Sequence, residues 1–582
     1  MPILRKSLIL LVLAAFVAAA PGPVWAGIGP VHAAHAMVCS VRPLATDAGV
    51  QILKEGGNAV DAAVATAFAL AVVYPDAGNL GGGGFLLFRQ ADGESHFIDF
   101  RETAPQAATR DMYLDAKGNV IPGLSTDSGK AIAVPGSVAG LTYAQKKYGK
   151  LPLAKVMEPA IRLAREGFAL TWGDADGIAE YADKLGNDPE AKRIFLRDGK
   201  LYQEGEILRQ PELAQTLERI ASNPDDFYRG EMARELAAAV QKDGGLITAA
   251  DLAAYQVKER VPIHGTYRGY DIVSAPPPSA GGIVLVEALN ILEGYDLAKM
   301  GQNSANAMHF IVEAYRRAFY DKSEFMGDPD FVKVPVAQLI DKKYAAEWRE
   351  TIDPRRATPS GELQRPQFGD LDQMARAPSR HEGNNTTHFS VVDAEGNAVA
   401  VTTTLNDGFG AKMVAGKLGF LLNDEMDDFT SKPDAPNMFG LIQGSANEIA
   451  PGRRPVSSMT PTIVTKDGKL LLVTGSPGGP RIITTVANVL LGVIDFGLNV
   501  QEAVDAPRFH QQWMPDEIYT ERTGFSPDTI GLLEGRGYKF RGADPNWPSG
   551  YWSDAETILV DPKTGERLGA TDPRMAGKAG GY

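Results

Sequence analysis

"HEGNNTTHFSVVDAEGNAVAVTTT", residues 381–404, joins two kinds of sequence. Before it, residues 351–385 carry many Pro, Arg, Gln and Gly without apolar rhythm, the pattern of a long exposed linker. After it, "HFSVVD" and "AVAVTTT" flank the turn "AEGN" and alternate like paired strands buried on one face. Two threonines, Thr386 and Thr387, sit on the seam. Thr favours strands in any case, so the pair alone says little. Its place says more. A hydroxyl is a poor nucleophile without a base, and an N-terminal Thr carries one in its own α-amino group. That amine titrates near about pH 8, against about 10.4 for Lys, so a useful fraction is neutral at physiological pH. Thr386 becomes N-terminal only if the bond after Asn385 is cut. The end of an exposed linker is where a cut disturbs folding least.

Working outward, "TPTIVTKDGKLLLVTGSPGG" (460–479) predicts a hairpin about Asp467-Gly468. It runs into "PRIITTVANVLLGVIDFG" (480–497), an apolar helix with Pro480 at its first turn. Near the start, residues 45–73 predict two helices, the second opened by Asn58, and 59–74 is apolar enough for a buried helix. "FLLFRQADGESHFIDFR" (85–101) predicts a hairpin about Asp92-Gly93, with Arg101 at its end. From about 150 to 325 the pattern is mostly helical. Strands that pair locally, alternating irregularly with helices, predict an α+β fold of antiparallel sheets covered by helices.

The whole chain narrows the function classes. Its 582 residues can bury a large core, and the 62 Gly and 38 Pro show no period. Arg5 and Lys6, the apolar run 8–20 and the small-x-small triplet Val24-Trp25-Ala26 read as a signal peptide over 1–26. The alternative, a membrane anchor, is disfavoured because the run is short for a bilayer. Export, to a periplasm or beyond, is the expectation. The single Cys39 cannot form an intramolecular disulfide, and its setting "HAMVCSVRPLA" (35–45) predicts a buried, inert thiol. A net charge of −14 argues against nucleic acid and anionic membranes as partners.

Several site types are absent from the sequence. There is no HExxH or CxxC and no His spacing suited to a metal. "GGGG" (81–84) precedes a strand instead of opening a helix after one, so it is no dinucleotide fingerprint. Ser476 in "TGSPGG" lacks the Gly two residues before it that a nucleophile elbow requires. Gly478 and Gly479 do precede a helix N-terminus, where backbone N–H groups could hold an oxyanion. A Gly-rich turn is otherwise only a turn.

Taken together, "NNTTHFSVVDAEGNAVAVTTTLN" (384–406), "GFLLNDEMDDF" (419–429), "RRPVSSMTPTIV" (453–464) and "TGSPGGPRIITT" (474–485) resemble the gamma-glutamyltransferases, also called glutathione hydrolases. "EGGNAVDAAVA" (55–65), "GNLGGGGF" (78–85) and "DFRETAP" (99–105) match the same family, in order, from about residue 33 to the C-terminus. The resemblance implies an N-terminal-nucleophile hydrolase fold, an αββα sandwich built from both halves of a self-cleaved chain. It implies a large subunit of 27–385 and a small subunit of 386–582, cut between Asn385 and Thr386.

The resemblance also implies roles. Thr386 is the nucleophile in self-cleavage and turnover, steadied by Thr404, with Gly478 and Gly479 as the oxyanion hole. Arg101, Ser457 and Ser458 hold the α-carboxylate of a γ-glutamyl group, and Asn406, Glu425 and Asp428 hold its α-ammonium. A zwitterionic end needs donors on one side and acceptors on the other, which leaves the γ-carbonyl to react. Thr387 and Asp427 are structural support, and "PPPSAGG" (276–282) is a shaped loop. Substrates would be glutathione and other γ-glutamyl compounds, acceptors water, amino acids or peptides, with no metal or organic cofactor. One departure stands out. Phe439, in the lid segment "PNMFGLIQGSANEIAPGRRP" (436–455), replaces a Tyr common in bacterial members. The rival expectations are a cephalosporin or glutaryl acylase of the same fold, and an inactive amino-acid-binding relative.

Overall fold

In the computed structural model, which describes residues 29–371, 385–431, 445–541 and 552–582, the strands Asn385–Val392 and Ala398–Asn406 lie antiparallel at the heart of a seven-stranded sheet. Across that sheet the order is Lys578–Gly581, Met37–Ser40, Asn385–Val392, Ala398–Asn406, Gly83–Arg89, Ser95–Asp99 and Lys258–Arg260. A second seven-stranded sheet runs Val31–Ala33, Arg567–Ala570, Thr557–Val560, Lys469–Thr474, Thr462–Lys466, Tyr270–Ser274 and Ile263–Tyr267. Neighbouring strands pair antiparallel throughout both sheets.

Three hydrophobic clusters fill the spaces between four layers. Met37, Cys39, Phe85, Leu87, Val473 and Ile558 pack between the sheets. Phe389, Val391, Val399 and Val401 face outward onto the helix Ala59–Val73. All of that helix is buried, which is why its sequence is apolar on every side. Asn58 caps it, accepting from Val60 and Asp61 N–H while Asp61 accepts from its own N–H. On the far side, Ile272, Val464 and Leu472 pack with the helices Gly281–Leu292, Ala305–Phe325 and Arg481–Ile494. The result is the helix–sheet–sheet–helix sandwich that the motifs implied.

Parity places the threonines. Side chains alternate across a strand, so with Phe389 and Val391 on the helices, Thr386, His388 and Ser390 point between the sheets. Thr387 falls on the helix side. The strands on either side of the central hairpin, Met37–Ser40 and Gly83–Arg89, come from the first part of the chain. A cut before Thr386 would therefore leave both pieces woven into one sheet.

The stretch 150–325 is mostly helical, as expected, but it also holds the strands Lys258–Arg260, Ile263–Tyr267 and Tyr270–Ser274, the last two joined by a turn with positive φ at Arg268 (50°) and Gly269 (79°). Two of the three are sheet edges, short and polar as edges tend to be, so they leave little apolar pattern. The stretch expected as an exposed linker is largely exposed or half-buried from 351 to 371, but it is anchored at several points. Ser360, Leu363 and Leu371 are buried, and the buried Arg365 guanidinium lies 2.6 Å from Asp321 and 2.7 Å from Glu324. An Arg and isolated apolar residues anchor that segment without any period to read. Residues 372–384 of the expected linker, the signal segment 1–26 and Phe439 lie outside the described residues. Cys39 is buried as expected, its Sγ donating to the Thr557 carbonyl at 3.5 Å, and burial pushes its thiol pKa up.

Candidate active site

The central hairpin sets Thr386 opposite Thr404, and the Thr386 hydroxyl donates to Thr404 Oγ1 at 3.3 Å. Thr404 Oγ1 also accepts from the Asn406 N–H at 2.9 Å, where the strand ends and Asn406 takes a positive φ of 81°. The Asn79 amide secures the Thr404 carbonyl at 2.9 Å. Both threonines are buried.

From Asn406 the network continues into the turn Glu425–Asp428. Asn406 Nδ2 donates to the Asp424 carbonyl (3.1 Å) and to Asp424 Oδ2 (3.3 Å). A backbone carbonyl only accepts, so the amide nitrogen must face it, and Asn406 Oδ1 is left buried without a partner among the described residues. One Oε of Glu425 and the Ser458 hydroxyl are likewise buried and unpartnered. Buried polar atoms are nearly always satisfied, so three such atoms in one network mark a surface made to receive a polar group.

Arg101 closes the network. Its guanidinium is fully buried and donates to Glu425 and to Asp428, and to the carbonyls of Val456 (3.1 Å) and Pro455 (3.4 Å). The sequence motifs assigned Arg101 and the two acids to opposite ends of a substrate; the structure sets them against one another. Burial alone would lower the Arg101 pKa, but Glu425, Asp428 and Glu102 outweigh it and hold the cation firmly charged. Burial pushes Glu425 well up against the pull of Arg101, and pushes Glu102 up to about 7. Ser457 and Ser458 follow directly on the Arg101-bound carbonyls, and the loop at 276–282 braces Ser457: its N–H donates to Pro278 O (3.1 Å) and its carbonyl accepts from Ala280 N (2.7 Å).

The last part is the turn before the helix Arg481–Ile494, where Gly478 and Gly479 take positive φ of 122° and 57°. This turn reaches the threonine strand through Gly475: a Cβ there would lie 2.3 Å from the His388 ring. His388 is buried two residues along from Thr386 on the same strand face. Ser390 donates to the Glu556 carbonyl (2.7 Å), so its oxygen accepts from His388 Nε2 (3.1 Å), and Nδ1 accepts from Thr402 (2.9 Å). Both ring nitrogens are engaged, and burial lowers the pKa to about 3, so the ring is neutral.

The sequence profile of the family described as Gamma-glutamyltranspeptidase matches residues 45–582. The chain belongs to the gamma-glutamyltranspeptidase family. A glutathione hydrolase proenzyme of Escherichia coli (strain K12) is 53% identical over 547 residues, spanning 94% of this chain and 91% of the relative. Another, of Pseudomonas sp. (strain A14), is 51% identical over 558 residues, 95% of each chain. The solved cephalosporin acylase from Bacillus halodurans superposes with a TM-score of 0.82 at 30% identity, covering 97% of this chain and 98% of its own.

Two supporting residues are not legible as such in the sequence, although both lie inside its family motifs. Asn423 donates to the carbonyls of Gly81 (2.7 Å) and Ala133 (2.9 Å) and accepts from Glu425 N (3.0 Å), so it pins the acidic turn to the first part of the chain. Asn447 donates to Asp428 O (2.7 Å) and accepts from Val456 N (3.0 Å), tying that turn to the serine segment. An Asn beside an acidic cluster was the available signal, since its amide can serve a donor and an acceptor at once. Asp427, expected as structural support, accepts from the Ser125 hydroxyl at 2.6 Å. Among the described residues no group of His, Cys, Asp and Glu could hold a metal ion, and no helix is long and apolar enough to cross a membrane.

Proposed function

We propose that the chain is an exported γ-glutamyl acyl-transfer enzyme that cuts itself between Asn385 and Thr386. One observation carries the reading: hydrogen bonds run from Thr386 through Thr404 and Asn406 to Asp424, and its chain neighbour Glu425 is paired with Arg101. A nucleophile is thereby coupled to a buried set of one cation and several acceptors suited to an amino-acid end.

In processing, Thr386 Oγ attacks the Asn385 carbonyl carbon, the peptide becomes an ester, and water releases the Asn385 carboxylate and a free Thr386 amine. In turnover that amine takes the hydroxyl proton as Oγ attacks the γ-carbonyl of the donor. Gly478 and Gly479 N–H groups would stabilise the oxyanion. The donor's amine leaves with the proton (cysteinylglycine from glutathione), and water or an acceptor amino acid or peptide takes the glutamyl group from the ester. Because both nitrogens of neutral His388 are occupied, the Thr386 amine is the base this arrangement leaves. Arg101, Ser457 and Ser458 would hold the α-carboxylate, and Asn406, Glu425 and Asp428 the α-ammonium, with substrate replacing part of the Arg101–carboxylate contact. The subunits, 27–385 and 386–582, would stay together through their shared sheet.

The likeness to a cephalosporin acylase keeps a second reading in view. Hydrolysis of a γ-glutamyl anilide beside a glutaryl anilide decides, because the two acyl groups differ only in the α-amino group. Preference for γ-glutamyl supports the proposal; preference for glutaryl means an acylase, and turnover of neither means a binding protein.

A further inference from the structure

Lys412 is a residue out of place. It is 2% exposed, yet it carries a compact, strongly hydrated charge, and its backbone sits at φ 58°, where bulky side chains are rare. Asn406 (81°) and Phe409 (60°) share this strain in the same loop. Strain on this scale persists where the surroundings over-determine it, most often at functional sites.

Its contacts lead back to the acidic turn. Lys412 Nζ lies 2.6 Å from Asp407 Oδ2 and 3.4 Å from Asp127 Oδ1. The Asp407 N–H donates to Asp424 Oδ1 (2.9 Å), and Asp424 is the residue that orients the Asn406 amide. Tyr181 donates to the other Asp407 oxygen at 3.3 Å. Burial pushes the Asp424 carboxyl well up, and Lys412 opposes this only in part. Burial alone would lower the lysine itself, but Asp424, Asp407 and Asp127 outweigh it and keep the ammonium protonated.

We propose that Lys412 is a positioning residue for recognition of the donor's α-ammonium: its buried charge balances Asp407 and Asp424 and so holds the Asp424 carboxyl where it helps clamp Asn406 with Oδ1 toward the substrate. The inference rests on the γ-glutamyl reading above. Without the cation, the Asp424 carboxyl loses its counter-charge and its hold on Asn406 Nδ2, the Asp424 carbonyl is left as the amide's one fixed acceptor, and Asn406 Oδ1 is held less firmly toward the substrate.

The test uses the full, self-processed enzyme and the ratio of kcat/KM on the γ-glutamyl anilide to that on the glutaryl anilide. Lys412→Gly removes the charge and suits the left-handed backbone, so strain is relieved. It should raise γ-glutamyl KM at nearly constant kcat and lower the ratio about tenfold or more, with glutaryl turnover little changed. Lys412→Arg, which keeps a cation, should hold the ratio within about threefold of wild type. Adding Asp407→Asn to Lys412→Gly restores charge balance and should recover most of the loss. An unchanged ratio in Lys412→Gly, or a parallel fall on both donors, overturns the proposal while wild-type γ-glutamyl activity still stands. If Lys412→Gly does not mature, Lys412→Asn, which also removes the charge and tolerates the left-handed backbone, must lower the ratio. Wild type inactive on the γ-glutamyl anilide removes the functional reading itself, and this inference with it.

Discussion

Thr386 donates its hydroxyl proton to Thr404 at 3.3 Å across the central hairpin, while Thr404 accepts from the backbone of Asn406. The contact is long and joins two neutral groups, so it orients more than it activates. Thr386→Ala should therefore remain one uncut, inactive chain of 27–582, whereas Thr404→Ala should still process, more slowly. A neutral hydrogen bond contributes about 0.5–1.5 kcal/mol net, so a slowing of roughly 2- to 13-fold is expected. Gel analysis over time reads both. Efficient cutting of Thr386→Ala would assign the cleavage to an external protease.

Arg101 neutralises two buried carboxylates, Glu425 and Asp428, and lies against a third, Glu102. Arg101→Ala should thus do more than weaken donor binding. Leaving buried charges without a partner costs about 3–5 kcal/mol, so the melting temperature should fall along with γ-glutamyl turnover. Glu425→Gln in that background should restore part of the stability and none of the activity. Thermal melts beside kinetics separate the two effects. A stable Arg101→Ala protein with a normal donor KM would remove Arg101 from both roles.

What the sequence disclosed follows the strength of local pattern. The strand start at the threonine pair was legible because alternation begins abruptly after an aperiodic stretch, and the parity of Phe389 and Val391 then puts Thr386, not Thr387, on the side between the sheets. The helix after Asn58 and the Asp467-Gly468 hairpin were legible from capping and turn chemistry. The edge strands at 258–267 were not, because half-exposed edges lack an apolar row. Arg365 was not legible either, since its partners Asp321 and Glu324 lie on a helix more than forty positions earlier. The pairing of Arg101 with Glu425 is of the same kind: family motifs supply the residues, and only the fold sets them face to face.

Asp427 gives a pH signature. Burial pushes its carboxyl up to about 7, partly opposed by the Ser125 hydroxyl, against about 3.9 in an unfolded chain. The folded protein then holds a proton that the unfolded chain releases. The stabilisation is complete below the unfolded value and is lost as pH rises through about 7, at roughly 1.4 kcal/mol per unit across the window. Asp427→Asn, which cannot ionise, should gain stability relative to wild type as pH rises from about 4 to about 7. Denaturant unfolding of the pair at several pH values checks this, and a pH-independent difference would mean that Asp427 is already ionised when folded.

Gly478 and Gly479 both have positive φ, yet they should not respond alike to substitution. Gly479, at 57°, lies in the left-handed region that Asn tolerates, so Gly479→Asn should keep the backbone path with modest loss. Gly478, at 122°, lies beyond it, and a Cβ there would sit 2.7 Å from Ser553 Cβ. Ser553 cannot yield easily, because its own φ is 81° and its hydroxyl bonds Thr485 at 2.7 Å. Gly478→Ala must then move the turn that leads into the helix Arg481–Ile494. Loss of one oxyanion donor costs about 10²- to 10³-fold in kcat, so a fall toward that range with a smaller change in donor KM is expected. Ser553→Gly added to Gly478→Ala removes the clash but not the backbone strain, so rescue should be partial. Single-turnover and steady-state kinetics on the γ-glutamyl anilide measure both variants. If Gly478→Ala turns over within threefold of wild type, this turn does not hold the oxyanion, and the assignment of Gly478 falls.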